Sequence, residues 1–275
     1  MEAERFLTVD GIRLYCQIRG SGPPVLLVHG LGMSSYTWRH NIDALAKHFT
    51  VYAPDLRGFG HSDRPNKRGY SLYYHQQALL KLLDALELEQ VDYIGSSMGG
   101  EIGLRIAINH PQRINRLVLI ASAAYREEIP RTFRWLSYLP YRPLVGPWLH
   151  RHVLTEPVIR AALREAYYRP ERIAEEEMRL MMAPILAQES GPAFQRFIRE
   201  FDFAKEKARY HEINHSTLIL AGVHDRVIPL AHLQRLHREL PNSTLVVVED
   251  SGHLLHEEKP EEVNQHILNF LCKKN

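Results

Sequence analysis

Five residues, Gly95-Ser96-Ser97-Met98-Gly99, carry the sharpest chemical signal in the chain. They match G-x-S-x-G between a run patterned as a buried strand (91–94) and a run with helical spacing (99–109). A turn of that kind lifts its central serine, Ser97, to the strand's C-terminal edge, above the positive end of the next helix. The glycines on either side keep side chains out of the neighbouring strand and helix. A serine hydroxyl is a weak nucleophile without a base. The chain has 16 histidines, so most are bystanders. His253, in Ser251-Gly252-His253, directly follows the last strand (245–248) and so falls at the same sheet edge. His256 is the alternative base. The imidazole needs an orienting carboxylate. Asp225 follows the preceding strand (218–220) at that edge, and Asp250 is its rival. The stretch after the earlier strand, Ala121-Ser122-Ala123-Ala124, has no carboxylate, which strengthens Asp225. A tetrahedral intermediate also needs N–H donors. Met98, the residue after the serine, supplies one, and Leu31 in His29-Gly30-Leu31-Gly32 supplies the other. His29 is read as ordering that loop rather than as a base.

These residues need a scaffold that brings distant loops to one edge. Residues 6–9 and 12–18 alternate around Asp10-Gly11, the signature of a β-hairpin. Short apolar runs at 25–28, 51–53, 91–94, 117–120, 218–220 and 245–248 have the pattern of strands buried on both faces. Helical spacing lies between them at 36–49, 72–86, 99–109, 229–240 and 260–271. The alternation predicts an α/β protein with a mostly parallel twisted sheet and helices on both faces. Residues 125–210 break the rhythm. They hold 8 of the 16 prolines and 13 of the 25 aromatics, with no buried-strand pattern. We read a core of residues 1–124 and 211–275, and a helical cap or lid at 125–210. Such an insertion sits where open α/β sheets bind ligands.

Composition narrows the class. The chain has 275 residues, 45% apolar and 24% charged, the balance of an ordinary globular protein. Lys+Arg 34 against Asp+Glu 32 leaves +2, which gives no global field for nucleic acid. Cys16 and Cys272 make neither a disulfide framework nor a zinc cage. The N-terminus lacks the basic and apolar regions of a secretory signal, and no apolar run approaches the ~20 residues of a membrane span. A reduced, cytoplasmic location is expected.

The chain resembles the α/β-hydrolase-fold serine hydrolases with a helical cap. His29-Gly30 is similar to that family's oxyanion loop, and Asp55-Leu56-Arg57-Gly58-Phe59-Gly60-His61-Ser62 resembles its D-x-R-G-x-G-x-S structural turn. Gly222 to Pro229 and Gly252-His253 resemble its acid and base loops. Dehalogenases and epoxide hydrolases of this shape carry aspartate where Ser97 stands. The stretch Ser97-Met98-Gly99-Gly100 suits carboxylesterases and the C–C hydrolases of meta-cleavage products alike. The C–C hydrolases usually have H-G-x-G-P-G and an aromatic residue after the catalytic histidine. This chain has Met33-Ser34 and Leu254 at those places.

The resemblance therefore implies ester hydrolysis through an acyl-enzyme. C–C hydrolysis is the alternative, and a non-catalytic small-ligand receptor is another class. A surface-acting lipase fits less well, since 125–210 carries 15 basic and 12 acidic residues. No metal or organic cofactor is implied. His211 and His215 have helical metal-pair spacing but no third ligand. Glu101 is read as a helix N-terminal charge. The expected partner is a small-molecule ester or related carbonyl substrate. No nucleic acid or membrane span is expected, and a homo-oligomer stays open.

Overall fold

The computed structural model describes residues 2–125, 145–187, 190–200, 202 and 206–273. Residues 126–144 of the expected cap fall outside them. The expected hairpin forms from β1 (Glu2–Val9) and β2 (Ile12–Gly20), with Asp10 and Gly11 both at positive φ, 51° and 71°. That pair gives the turn the twist of the flanking strands. The remaining strands are β3 (Pro24–Val28), β4 (Thr50–Pro54), β5 (Val91–Ser96), β6 (Ile114–Ile120), β7 (Thr217–Gly222) and β8 (Ser243–Val248). They form one eight-stranded sheet in the order β1-β2-β4-β3-β5-β6-β7-β8. The β1–β2 and β2–β4 pairs are antiparallel, and every other pair is parallel.

Period-two alternation sorts the strand side chains onto two faces. Leu26, Val28, Leu117 and Leu119 join one apolar cluster, while Val25, Leu27, Val118 and Ile120 join another. The first face is covered by α2 (Leu72–Ala85), α3 (Met98–Asn109) and α8 (Leu230–Glu239), through residues such as Leu79, Ile102 and Leu233. The second is covered by the short α1 (Ile42–Leu45) and by α10 (Pro260–Leu271), through Ile42, Leu45, Val263 and Ile267.

The helix expected over 36–49 is broken. A 3₁₀ turn at Ser35–Trp38 and α1 replace it. Between them the Asn41 side chain donates to His256 O at 3.1 Å and to Asn264 Oδ1 at 2.8 Å. The expected stripe of Trp38, Ile42, Leu45 and Phe49 is buried all the same.

Between β6 and β7 lie α4 (Val145–His152), α5 (Glu156–Ala166), α6 (Glu175–Leu186) and α7 (Ser190–Arg199). Ile159, Leu163, Tyr167, Met178 and Met182 form a separate apolar cluster there, which takes in Met33 and Leu254 from the sheet's loops. The remaining short helix, α9 (Leu255–Glu258), follows β8. Among the described residues, no helix is long and apolar enough to cross a membrane.

Candidate active site

The turn from β5 into α3 holds Ser97 at φ 52° and ψ −116°, a region that non-glycine residues rarely occupy. Such a conformation costs on the order of 1–3 kcal/mol and persists only when its surroundings over-determine it. Here Ser97 N donates to Ile120 O at 3.0 Å, and Ser97 O accepts from Gly100 N and Ala123 N at 3.0 and 3.1 Å. A Cβ on Gly95 would strike the backbone of Gly99 and Gly100, and one on Gly99 would strike that of Val28. The two glycines are needed for close approach, as the pattern implied.

The loop after β3 closes on the same serine. A Cβ on Gly30 would lie 3.2 Å from Ser97 Cβ and 3.8 Å from its Oγ. His29 orders this loop. Its Nε2 accepts from Leu56 N at 2.9 Å, so Nδ1 carries the proton and donates to Gly30 O at 2.7 Å. Burial pushes the His29 pKa below its ordinary value, which keeps the ring neutral. Among the described residues, neither the Leu31 N–H nor the Met98 N–H finds an acceptor. Met98 opens α3, where the helix leaves its first N–H groups free.

Asp225 and His253 meet. His253 Nδ1 donates to Asp225 Oδ2 at 2.9 Å, and both side chains are buried. The other carboxylate oxygen accepts from Val227 N and Ile228 N, both at 2.8 Å. Asp250, the rival acid, is placed differently. Its side chain is 54% exposed and lies 3.7 Å from Arg169. His256, the alternative base, is also placed differently. It is sealed beneath Trp38, with ring centroids 4.6 Å apart, and its Nε2 contacts Thr37 Oγ1 at 3.0 Å. Burial drives its pKa down to about 3.

Other residues singled out in the sequence take structural places. Asp55 accepts from Ser35 N at 2.6 Å and His61 N at 2.7 Å, so the D-x-R-G-x-G-x-S turn shapes the sheet edge. His211 lies in the 3₁₀ turn Lys207–Glu212, while His215 lies beyond it and contacts Pro111 O through Nε2 at 2.8 Å. Glu101 does sit in the first turn of α3, but it is fully buried. Its partners are Arg105 Nε at 3.4 Å and Tyr210 Oη at 3.0 Å.

Three residues escaped the sequence reading. Glu257 is buried at the core–insertion junction, where it accepts from Arg39 Nη1 at 2.6 Å and Tyr167 Oη at 2.7 Å. Glu258 accepts from Gly252 N at 2.7 Å and Tyr168 N at 2.8 Å. Tyr168 itself stacks on His224, with centroids 4.0 Å apart and planes at 10°. Two adjacent glutamates just after a base motif were the only signal, and a solvated helix end has the same composition.

Beside Gly32 lies an apolar cavity of about 60 Å³, walled by Phe59, Tyr70, Leu154, Ile185, Ala193 and Phe194. Of the aromatics between β6 and β7, Phe194 lines this space, Tyr167 and Phe197 pack in the interior, and Trp148 is exposed.

The strand order and the strained serine at the head of α3 together define a hydrolase of the α/β type. Residues 23–260 match the alpha/beta hydrolase fold family, and the chain belongs to it. An uncharacterized hydrolase of Bacillus subtilis (strain 168), YugF, is 30% identical over 269 residues, covering 97% of each chain. A 2-hydroxy-6-oxo-2,4-heptadienoate hydrolase of Pseudomonas putida is 33% identical over 258 residues, covering 92% of this chain and 90% of that one. Among solved structures, the N-acyl homoserine lactone degrading enzyme Est816 superposes with a TM-score of 0.78 at 25% identity, covering 97% of this chain and 100% of that one.

Proposed function

We propose that the protein hydrolyses carboxylic esters of small to medium apolar substrates, with Ser97 as nucleophile, His253 as base and Asp225 as the orienting acid. The observation that carries this reading is the His253 Nδ1–Asp225 Oδ2 contact of 2.9 Å at the sheet edge where Ser97 stands. With Nδ1 protonated, Nε2 is the free basic nitrogen. It takes the Ser97 proton as Oγ attacks the ester carbonyl. The Leu31 and Met98 N–H groups hold the oxyanion. His253 then protonates the departing alcohol, and water attacks the acyl-enzyme by the same route in reverse. None of these steps calls for a metal or organic cofactor.

Residues 125–210 act as the cap over this edge. The apolar cavity beside Gly32, whose lining also includes Ser190 and Tyr70, supports an uncharged acyl or alkyl group as its occupant. A lactone is a cyclic ester, so the likeness to Est816 agrees with this chemistry. A second reading, hydrolysis of a C–C bond in a ring-cleavage dienoate, is favoured by the kinship with the heptadienoate hydrolase. Against it stand the apolar cavity wall and Leu254 after the base. The proposed setting is the reducing cytoplasm. Burial pushes the Cys16 thiol up to about 12, so it behaves as an inert packing group.

Steady-state kinetics on p-nitrophenyl esters from acetate to decanoate, and on one ring-cleavage dienoate, test the proposal. Ester turnover by the wild type that disappears in Ser97→Ala is the expected result. Fast dienoate cleavage with poor ester turnover would replace it by the second reading. Activity that survives in Ser97→Ala would overturn the mechanism.

A further inference from the structure

The loop that carries His253 is held from outside the sheet. His253 N donates to Ala166 O at 2.8 Å, at the C-terminal end of α5. Gly252 packs so tightly there that a Cβ would lie 2.7 Å from Tyr168 N and 2.8 Å from Ala166 O. The Glu258 carboxylate spans the junction. One oxygen accepts from Gly252 N at 2.7 Å, and the other accepts from Tyr168 N at 2.8 Å and Arg169 N at 3.4 Å. The acid loop is gripped by the same segment. The Tyr168 ring lies flat on His224, the neighbour of Asp225, and His224 N donates to Ser251 O at 2.9 Å.

We propose that Glu258 is a positioning residue for His253: it ties the backbone beside the base to residues 166–169 and so fixes the imidazole against Asp225. The proposal rests on the reading of His253 as base. A carboxylate suits this place because it offers an acceptor oxygen to each segment while donating nothing. An amide cannot do the same, since its NH₂ would face one of the two N–H groups. The cap residues 166–169 are then a fixed part of the catalytic scaffold and not a moving lid. The link also explains why position 252 is glycine, since any side chain would push the two segments apart.

The test compares Glu258→Gln and Glu258→Asp with the wild type in ester kinetics, thermal melting and NMR of ¹⁵N-histidine-labelled protein. Asp225→Asn identifies the downfield Nδ1 proton of His253. The Gln variant is isosteric, so it loses the bridge without losing volume. We expect its kcat to fall by about 10²-fold, the scale of a misplaced catalytic group, with KM unchanged. The Nδ1 resonance should broaden or vanish while the melting midpoint holds. The Asp variant keeps both oxygens but is one methylene short, so it should recover part of kcat and of the resonance.

Wild-type kcat and an intact resonance in Glu258→Gln would overturn the proposal. A fall in kcat that tracks a fall in melting midpoint, without rescue by Asp, would also overturn it, since the role would then be structural. If the wild type turns over no substrate, the function reading fails on its own, and the resonance still decides whether Glu258 positions the ring.

Discussion

The carboxylate of Asp225 is shared between the imidazole of His253 and its own loop. Oδ2 accepts from His253 Nδ1 at 2.9 Å, while Oδ1 accepts from Val227 N and Ile228 N. The two oxygens therefore have separate duties, and they can be separated by mutation. In Asp225→Asn the amide oxygen can keep both backbone bonds, which leaves the NH₂ facing His253. The ring then protonates on Nε2 and loses its basic nitrogen. We expect kcat on p-nitrophenyl esters to fall by about 10⁴-fold with the fold intact, read from kinetics and circular dichroism.

Removing the nucleophile should cost more. Ser97→Ala is expected to lower kcat by about 10⁴–10⁶-fold. Asp250→Asn, at a half-exposed side chain, should leave kcat at the wild-type value in the same assay. A large effect at Asp250 would assign the acid role there instead.

Buried histidines make acid stability measurable. Burial holds His75 and His256 at pKa values of about 3 each. In the unfolded chain both titrate near 6.5. Between those values the unfolded state binds more protons, so stability is intact above about pH 6.5 and falls as pH drops toward 3. Each histidine contributes a slope of about 1.4 kcal/mol per pH unit across that window. Among the described residues, neither ring nitrogen of His75 finds a hydrogen-bond partner. His75→Leu should therefore remove one proton from the slope and raise the urea midpoint at pH 5.

The junction at Arg39 predicts a different stability effect. Arg39 contacts Glu257 at 2.6 Å and Glu177 at 3.0 Å, with the Glu257 side chain 1% exposed. Arg39→Leu would leave a buried carboxylate without its cation and is expected to destabilise by about 3–5 kcal/mol in urea unfolding. The double variant Arg39→Leu/Glu257→Gln should recover much of that loss.

Substrate length can be read against the apolar cavity. Ala193 lies on its wall, so Ala193→Leu should fill it and shift the best p-nitrophenyl ester to a shorter acyl chain. An unchanged chain-length profile would place the acyl group elsewhere.

The sheet and the candidate residues were legible in the sequence for one reason. Each of Ser97, Asp225 and His253 comes a few residues after a short run patterned as a buried strand, and the C-terminal ends of parallel strands share an edge. What stayed hidden depends on contacts that no local pattern encodes. Asn41 breaks the expected helix because its side chain reaches His256 O, 215 residues along the chain. Glu258 reads as a solvated helix residue until Tyr168, 90 residues away, is brought against it. Glu101 reads as a terminal charge because a pair with Arg105 at i,i+4 looks the same on a buried face as on an exposed one.

One feature of the sheet bears on how such a protein changes its preferences. Strands β6 and β7 are paired neighbours, with Leu117 opposite Thr217, although the whole helical insertion separates them in sequence. The two ends of the insertion still meet: Tyr210 Oη donates to Ala124 O at 2.8 Å, and the rings of Tyr125 and Tyr210 lie 6.2 Å apart. A segment attached at such closely spaced points can be lengthened, shortened or exchanged without shifting any strand register. The chemistry of the edge and the shape of the space above it can then diversify separately, with the contacts of residues 166–169 as the constraint that any replacement must reproduce.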